Sequence, residues 1–566
     1  MPNSHQPAST GLRGALGPTT AGGSLFALLF WWQSLTPSLI PRSWPAQAVI
    51  GATCLAIGYG IGTLAGRGMR LLLDRRGRWL GSAIRKRSGI LLAAAWLVAV
   101  VLGARLWTGW QDEQRSFMGM ASLAWWNGAL ASVLSAFGGV FLLVAGRSLA
   151  WGVAAGKRAI RRHVPPAVSV PATALLLLVL AAVGLPALTA AIQSGRGRTN
   201  DATTEGTVAP RSPSVSGSSA SLVAWDTLGR MGRDFVASAT SRRQLALFHG
   251  TDAGLVDPVR VYVGVRSAES AEQRARLAVR ELERAGGFER KVLVVWVPTG
   301  TGWIVPKAAA SLEQMHRGDT AIVAIQYSFL PSLLAIFMDA GRADEAGITL
   351  FAAVRARWLT LPPDRRPKLV LFGKSLGAEG VEAPFVGADA ASSVADMAAR
   401  TNGALIAGAK KSNPVHAQLT RERDRGSPFW QPVFDGGRTV RFLNRDPRGV
   451  AGGADWPAPR IVYLQHPADP AICWSTRALW RPPECMDAPR GFDMPQAARW
   501  FPIVSGVQAV SDVLNQLGVP PGFGHNYASE YVGAWASVTS PGGWTPADTG
   551  RLEQFVAEIA GDEAER

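Results

Sequence analysis

Three residues stand where the chain could carry out acyl chemistry. Ser375 lies in Gly-Lys-Ser-Leu-Gly, entered by the apolar run "KLVLF" and left by "SLGAEGVEAPF". A serine hydroxyl is a weak nucleophile until a neighbouring base takes its proton. On a sharp strand-to-helix turn its Oγ would be exposed, and Gly373 and Gly377 would remove the side chains that clash there. Asp469 lies in "HPADP", four residues past "RIVYLQ", and His525 lies in "GFGHNY". The histidine would accept the serine proton, and the aspartate would hold its tautomer and stabilise its cation. Asp493 and Asp512 are rival carboxylates, and His466 and His416 rival bases; His466 follows a strand directly but precedes Asp469. The stretch "VPTGTGW" (Val297–Trp303) ends an earlier apolar run. A backbone N–H at Thr299 or Gly300 could join that of Leu376 in holding an oxyanion. As a phosphate loop the stretch fails, because no Gly-Lys-Ser/Thr follows.

Positioning these residues requires a sheet. "PVRVYVGV" (Pro258–Val265), "KVLVVWVP" (Lys291–Pro298), Thr320–Tyr327, "KLVLF" and "RIVYLQ" (Arg460–Gln465) read as strands, with "WFPIVS" as the last. Helical patterns fall at Ser270–Gly286, Ala308–Arg317, Ala346–Leu359 and Gly506–Leu517. Strand and helix in alternation imply a mostly parallel sheet with helices on both faces. Ligands of such sheets bind beyond the carboxyl ends of the strands, where Ser375, Asp469, His525 and the 297–303 stretch are expected.

The first third of the chain has a different character. Hydrophobic residues make up 48% of the 566 residues and charged residues 17%, and the net charge is +17. Residues 1–192 hold 17 Lys and Arg against three acids, Asp74, Asp112 and Glu113, so the charge resides in the apolar part. Basic stripes with interleaved aromatics are missing, which argues against a nucleic-acid partner. Five apolar stretches, Ser24–Ile40, Ala46–Gly66, Gly89–Trp107, Leu123–Ala145 and Val168–Ile192, have about the length needed to cross a ~30 Å bilayer core. The first is interrupted by Gln33, Ser34, Thr36 and Pro37. Eight Lys and Arg fall in Arg67–Arg87 and five in Arg147–His163, which places both segments in the cytoplasm and everything after residue 193 outside it. Only Arg13 precedes the first apolar stretch as a charge, so the segment reads as an uncleaved anchor.

The expected domains are therefore a membrane domain over 1–192, a flexible Gly/Ser/Thr/Pro-rich linker over 193–221 and a catalytic domain over 222–566. Cys473 and Cys485 are the only cysteines in the last of these and could pair in an oxidising compartment. The histidines do not cluster with them, so no metal is expected, and no other cofactor.

Taken together, "SLTPSLIPR", "WDTLGRMGRDFV", "RVYVG", "VPTGTGW", "GDTAIVAIQYSFLPS", "FGKSLGAEG", "HPADP" and "GFGHNY" resemble the bacterial membrane-anchored hydrolases of alpha/beta-hydrolase family 9, over nearly the whole chain. The resemblance implies an α/β-hydrolase fold behind a multi-span membrane domain, with Ser375 at the nucleophile position. The order Ser, Asp, His agrees with that fold. Lys374 departs from the acidic residue expected beside the nucleophile. The expected function is a membrane-anchored serine hydrolase acting on lipid or acylated-envelope esters. The alternatives are an acyltransferase using the same residues, or a catalytically silent domain with a binding role.

Overall fold

A computed structural model of the chain describes residues 21–74, 82–163, 178, 186–331, 334–335, 338–339, 341–445, 456–528 and 530–559. It divides into two compact units. One comprises residues 1–190, 476–482 and 495–515; the other comprises 191–475, 483–494 and 516–566.

The first unit is helical: α1 Ala21–Ser34, α2 Trp44–Asp74, α3 Ser82–Phe117 and α4 Trp126–His163. Three segments among the described residues are long and apolar enough to cross a membrane, Trp44–Met69, Ile90–Phe117 and Trp126–Gly156. The expected five spans are not all found. The described part of helix α1 has 14 residues, a rise of about 21 Å, less than a ~30 Å hydrocarbon core. It ends at Ser34, whose hydroxyl donates to the Trp31 carbonyl (2.6 Å). Most of the stretch 168–192 lies outside the described residues. Helices α1 and α2 meet through glycines: a β-carbon on Gly58 would overlap the Phe26 carbonyl, and one on Gly62 the Gly22 carbonyl. Small residues let helix backbones approach closely where burial of apolar surface gives little drive.

The turn after α1, which carries "SLTPSLIPR", is held by polar side chains. Gln508, on the helix Val504–Leu514, donates to the carbonyls of Ser34 (3.2 Å) and Thr36 (3.0 Å). Asp512 accepts from the Ser38 hydroxyl (2.7 Å) and the Leu39 N–H (3.1 Å). Residues 495–515, expected within the catalytic domain, thus group with the helical unit, and "WFPIVS" forms a turn and a helix start instead of a strand.

The second unit is built on seven parallel strands: β1 Val259–Val263, β2 Val292–Val297, β3 Thr320–Ile325, β4 Lys368–Lys374, β5 Gly403–Ala407, β6 Val440–Leu443 and β7 Arg460–Leu464. Their order is β1-β3-β2-β4-β5-β7-β6. Strands β2, β3 and β5 are buried along their length, as continuous apolar runs covered on both faces should be. Helices α5 Ala271–Arg284, α7 Arg342–Leu359 and α8 Leu376–Glu382 form one layer. Helices α6 Pro306–Met315, α9 Tyr531–Thr539 and α10 Pro546–Ile559 form the other. Strand β5 and edge strand β6, of five and four residues, were not anticipated.

The stretch 193–221 is not a free linker. A helix runs over 186–201, and Arg233 of "WDTLGRMGRDFV" donates to the carbonyls of Asn200, Asp201 and Ala202 at its end. Val215 bridges to Arg260 of β1, and the hydroxyls of Ser216 and Ser221 donate to Glu281. Composition signalled a coil; the side-chain hydroxyls that make it polar are what anchor it.

Candidate active site

Strand β4 delivers Ser375 into a turn that few residues adopt, with φ 57° and ψ −118°. A non-glycine residue at positive φ is strained and persists where the surroundings impose it. Here the Ser375 N–H donates to the Ala407 carbonyl (3.0 Å), and its own carbonyl accepts from Ala378 (3.1 Å). A β-carbon on Gly373 would overlap the Gly377 carbonyl, and one on Gly377 the Val297 carbonyl. The two glycines therefore let α8 fold back against β4 and the end of β2, as a nucleophile elbow requires. Leu376 is the first residue of α8, so its N–H has no acceptor within the helix and can serve an oxyanion.

The expected second donor needs correction. The Thr299 N–H is engaged by the Trp303 carbonyl (3.2 Å), and the Thr299 carbonyl accepts from Gly302 (2.9 Å). Thr299 thus closes a tight turn, and Gly300, at its tip, is left as the candidate. Tyr262 braces the turn by donating to the Gly302 carbonyl (2.8 Å), and Gln326 by donating to that of Thr301 (3.2 Å). Buried Lys374 places its ammonium 5.4 Å from the Trp303 ring centroid. This cation–π contact gives the unexpected lysine a place under the loop.

Asp469 and His525 come together although 56 positions separate them. His525 Nδ1 lies 2.7 Å from Asp469 Oδ2, and both residues are buried. The same carboxylate oxygen accepts from the Tyr527 hydroxyl (2.5 Å), and Oδ1 accepts from the Ala471 N–H (2.8 Å). Burial disfavours the Asp469 charge, but His525, Tyr527 and the amide prevail and hold its pKa below the usual carboxylate value. Burial and the Asp469 charge hold the Tyr527 phenol well above its ordinary value, so it remains a donor.

Strand register sets these groups in a row. Lys374 pairs with Ala407, and Ala407 with Leu464, so the ends of β4, β5 and β7 are level. Gly408, just past β5, lies between the Ser375 and Asp469 sides at a spacing of roughly 5 Å per strand. A β-carbon there would overlap His525 Cε1 and lie 2.8 Å from Nδ1. The missing side chain is the space the imidazole occupies. Nδ1 is turned to Asp469, and Nε2 makes no hydrogen bond among the described residues. Among the described residues no hydrogen bond joins Ser375 to His525.

The rivals have other partners. His416 Nε2 bonds Gln465 (2.7 Å), and burial lowers its pKa to about 4. Asp493 accepts from the Ala468 N–H (2.9 Å), and Asp512 lies in the helical unit. His466 bonds Gly524 and Glu530. Cys473 and Cys485 form a disulfide, with Cα atoms 5.7 Å apart, just beyond Asp469. Among the described residues no His, Cys, Asp and Glu cluster could hold a metal. Gly408 and Tyr527 were missed. The only available signal for Gly408 was a glycine closing a short apolar run, "GALIAGA".

No curated protein and no solved structure matches the chain. Residues 259–552 match the sequence model of an alpha/beta-hydrolase family, and residues 35–239 match that of the same family's N-terminus. With the parallel sheet and the apolar helices before it, these matches show that the chain belongs to alpha/beta-hydrolase family 9.

Proposed function

We propose that the protein is a membrane-anchored serine hydrolase that cleaves esters with apolar acyl groups. The observation that carries this reading is the row Ser375, His525 over Gly408, and Asp469 along three adjacent strand ends. Ser375 Oγ attacks the ester carbonyl and gives its proton to His525 Nε2. Asp469 stabilises the imidazolium that forms, and the N–H groups of Leu376 and Gly300 receive the oxyanion. The imidazolium then protonates the leaving alkoxide, and the acyl group remains on Ser375 until water attacks.

The acyl preference is supported by what surrounds the elbow. Leu376, Leu330 and Ala335 form a buried apolar cluster, with Ile192, Phe329, Leu334 and Met338 packed against it. Ile192 thus adds an apolar side chain beside the residue that follows the nucleophile. The basic segments 67–87 and 147–163 support an extracytoplasmic catalytic unit, on a lipid or acylated-envelope substrate. An alcohol acceptor in place of water would make the protein an acyltransferase with the same acyl-enzyme.

A fluorophosphonate probe applied to the full-length protein in detergent should label wild type and leave Ser375→Ala unlabelled. Equal labelling of both sinks the assignment. A cysteine in place of exposed Val208 should react with an impermeant maleimide in intact cells; protection there reverses the orientation.

A further inference from the structure

His466 lies two residues past β7 and is fully buried. Its Nδ1 is 2.8 Å from the Gly524 carbonyl oxygen, and its Nε2 is 3.1 Å from Glu530 Oε1. A carbonyl only accepts, so Nδ1 carries a proton; Nε2 faces a carboxylate oxygen, which favours a second proton on the ring. The ring also stacks on Tyr527, with centroids 4.3 Å apart and planes 20° apart. An aromatic face is a favourable seat for a cation.

The two anchor points bracket the base. Gly524 immediately precedes His525 and has φ 51°. Glu530 closes the same loop, before α9. Between them, Tyr527 accepts from the His466 backbone N–H (3.3 Å) and donates to Asp469. We propose that His466 is a positioning residue, a buried imidazolium that holds the loop bearing His525 in register with Asp469, and that loss of its proton sets an alkaline limit on activity. This rests on the hydrolase reading given above.

The groups facing His466 are Glu530 and Tyr527 from that loop, Asp493 and the edge of Phe492 from the 483–494 segment, and Asp469 beyond the Tyr527 hydroxyl. Burial opposes the charge, but Glu530 and Asp493 outweigh it and raise the pKa above the ordinary histidine value. A raised histidine pKa means that the stabilisation is complete below about 6.5 and is lost as pH rises through the folded-state value. The neutral ring has one N–H for two acceptors, so one anchor fails.

The test uses full-length protein in lipid nanodiscs with 15N-labelled histidines. On raising the pH through about 6.5, one histidine should keep both ring nitrogens protonated after an ordinary histidine has lost one, and that signal should vanish in His466→Gln. In ester hydrolysis, wild-type kcat should fall on the alkaline side. His466→Gln should lower kcat by about 10²-fold with KM unchanged, and should lose the alkaline fall. Glu530→Gln keeps the ring and removes its carboxylate, so it should move the alkaline fall to lower pH; this variant decides the matter if His466→Gln does not fold. A His466 that loses its second ring proton at or below the pH of an ordinary histidine, or an alkaline fall unmoved in both variants, overturns the proposal. The nitrogen signals need no turnover, so an imidazolium in a protein that Ser375→Ala leaves equally active would count against the hydrolase reading alone.

Discussion

Gly408 offers the sharpest perturbation of the site. Its φ is +56°, and a β-carbon there would overlap His525 Cε1 and approach Nδ1 to 2.8 Å. Ordinary contact needs ~3.5 Å or more, so in Gly408→Ala the ring must move by roughly 1 Å. Asp469 cannot follow, because Ala471 and Tyr527 hold its two oxygens. A 1 Å misplacement of a reacting group costs about 10²-fold in rate, or roughly 2.7 kcal/mol in the barrier. The substitution also carries backbone strain of about 1–2 kcal/mol in stability, since alanine is disfavoured at left-handed φ. Gly250→Ala isolates that second effect: Gly250 has φ +68° and nothing within 4 Å of its would-be β-carbon. Gly250→Ala should lose the strain term alone in denaturant melts and Gly408→Ala somewhat more, because the clash adds to it, while only Gly408→Ala should lose kcat/KM for a chromogenic ester and react slowly with fluorophosphonate. Equal kcat/KM in the two variants would refute the placement of His525 over β5.

Other expectations concern the supports of the site. Tyr527→Phe removes a hydrogen bond to a buried carboxylate, so it should cost about 1.5–3 kcal/mol in chemical denaturation and reduce kcat more than it raises KM. Glu313 pairs with buried Arg260 through two bonds, 2.6 and 2.9 Å; Glu313→Leu leaves that guanidinium uncompensated and should cost about 3–5 kcal/mol by the same measurement. Burial raises the Glu382 pKa to about 7, against the donors Val415, His416 and Tyr463. Its neutral form is favoured in the fold, so its contribution to stability is present at low pH and lost between about pH 4.5 and 7. The stability difference between Glu382→Gln and wild type should therefore move in favour of the variant across that window; a pH-independent difference refutes the assignment.

The sequence by itself determined the fold class, the parallel sheet, the strand-to-helix turn at Ser375 and the presence of membrane-length apolar helices. These follow from local patterns: continuous apolar strands, helical periodicity, and two glycines flanking a serine. It also singled out Asp469 and His525, by residue type and chain order. Only the tertiary structure decided which of several carboxylates and histidines meet, because that depends on the level ends of β4, β5 and β7 and on one missing side chain at Gly408. It also decided that Thr299 spends its N–H inside a turn, that residues 193–221 pack through their hydroxyls, and that residues 495–515 join the helical unit. The last two rest on hydrogen bonds between residues far apart in the chain, which no local period encodes, and the first on a turn whose backbone pairing residue type alone does not fix.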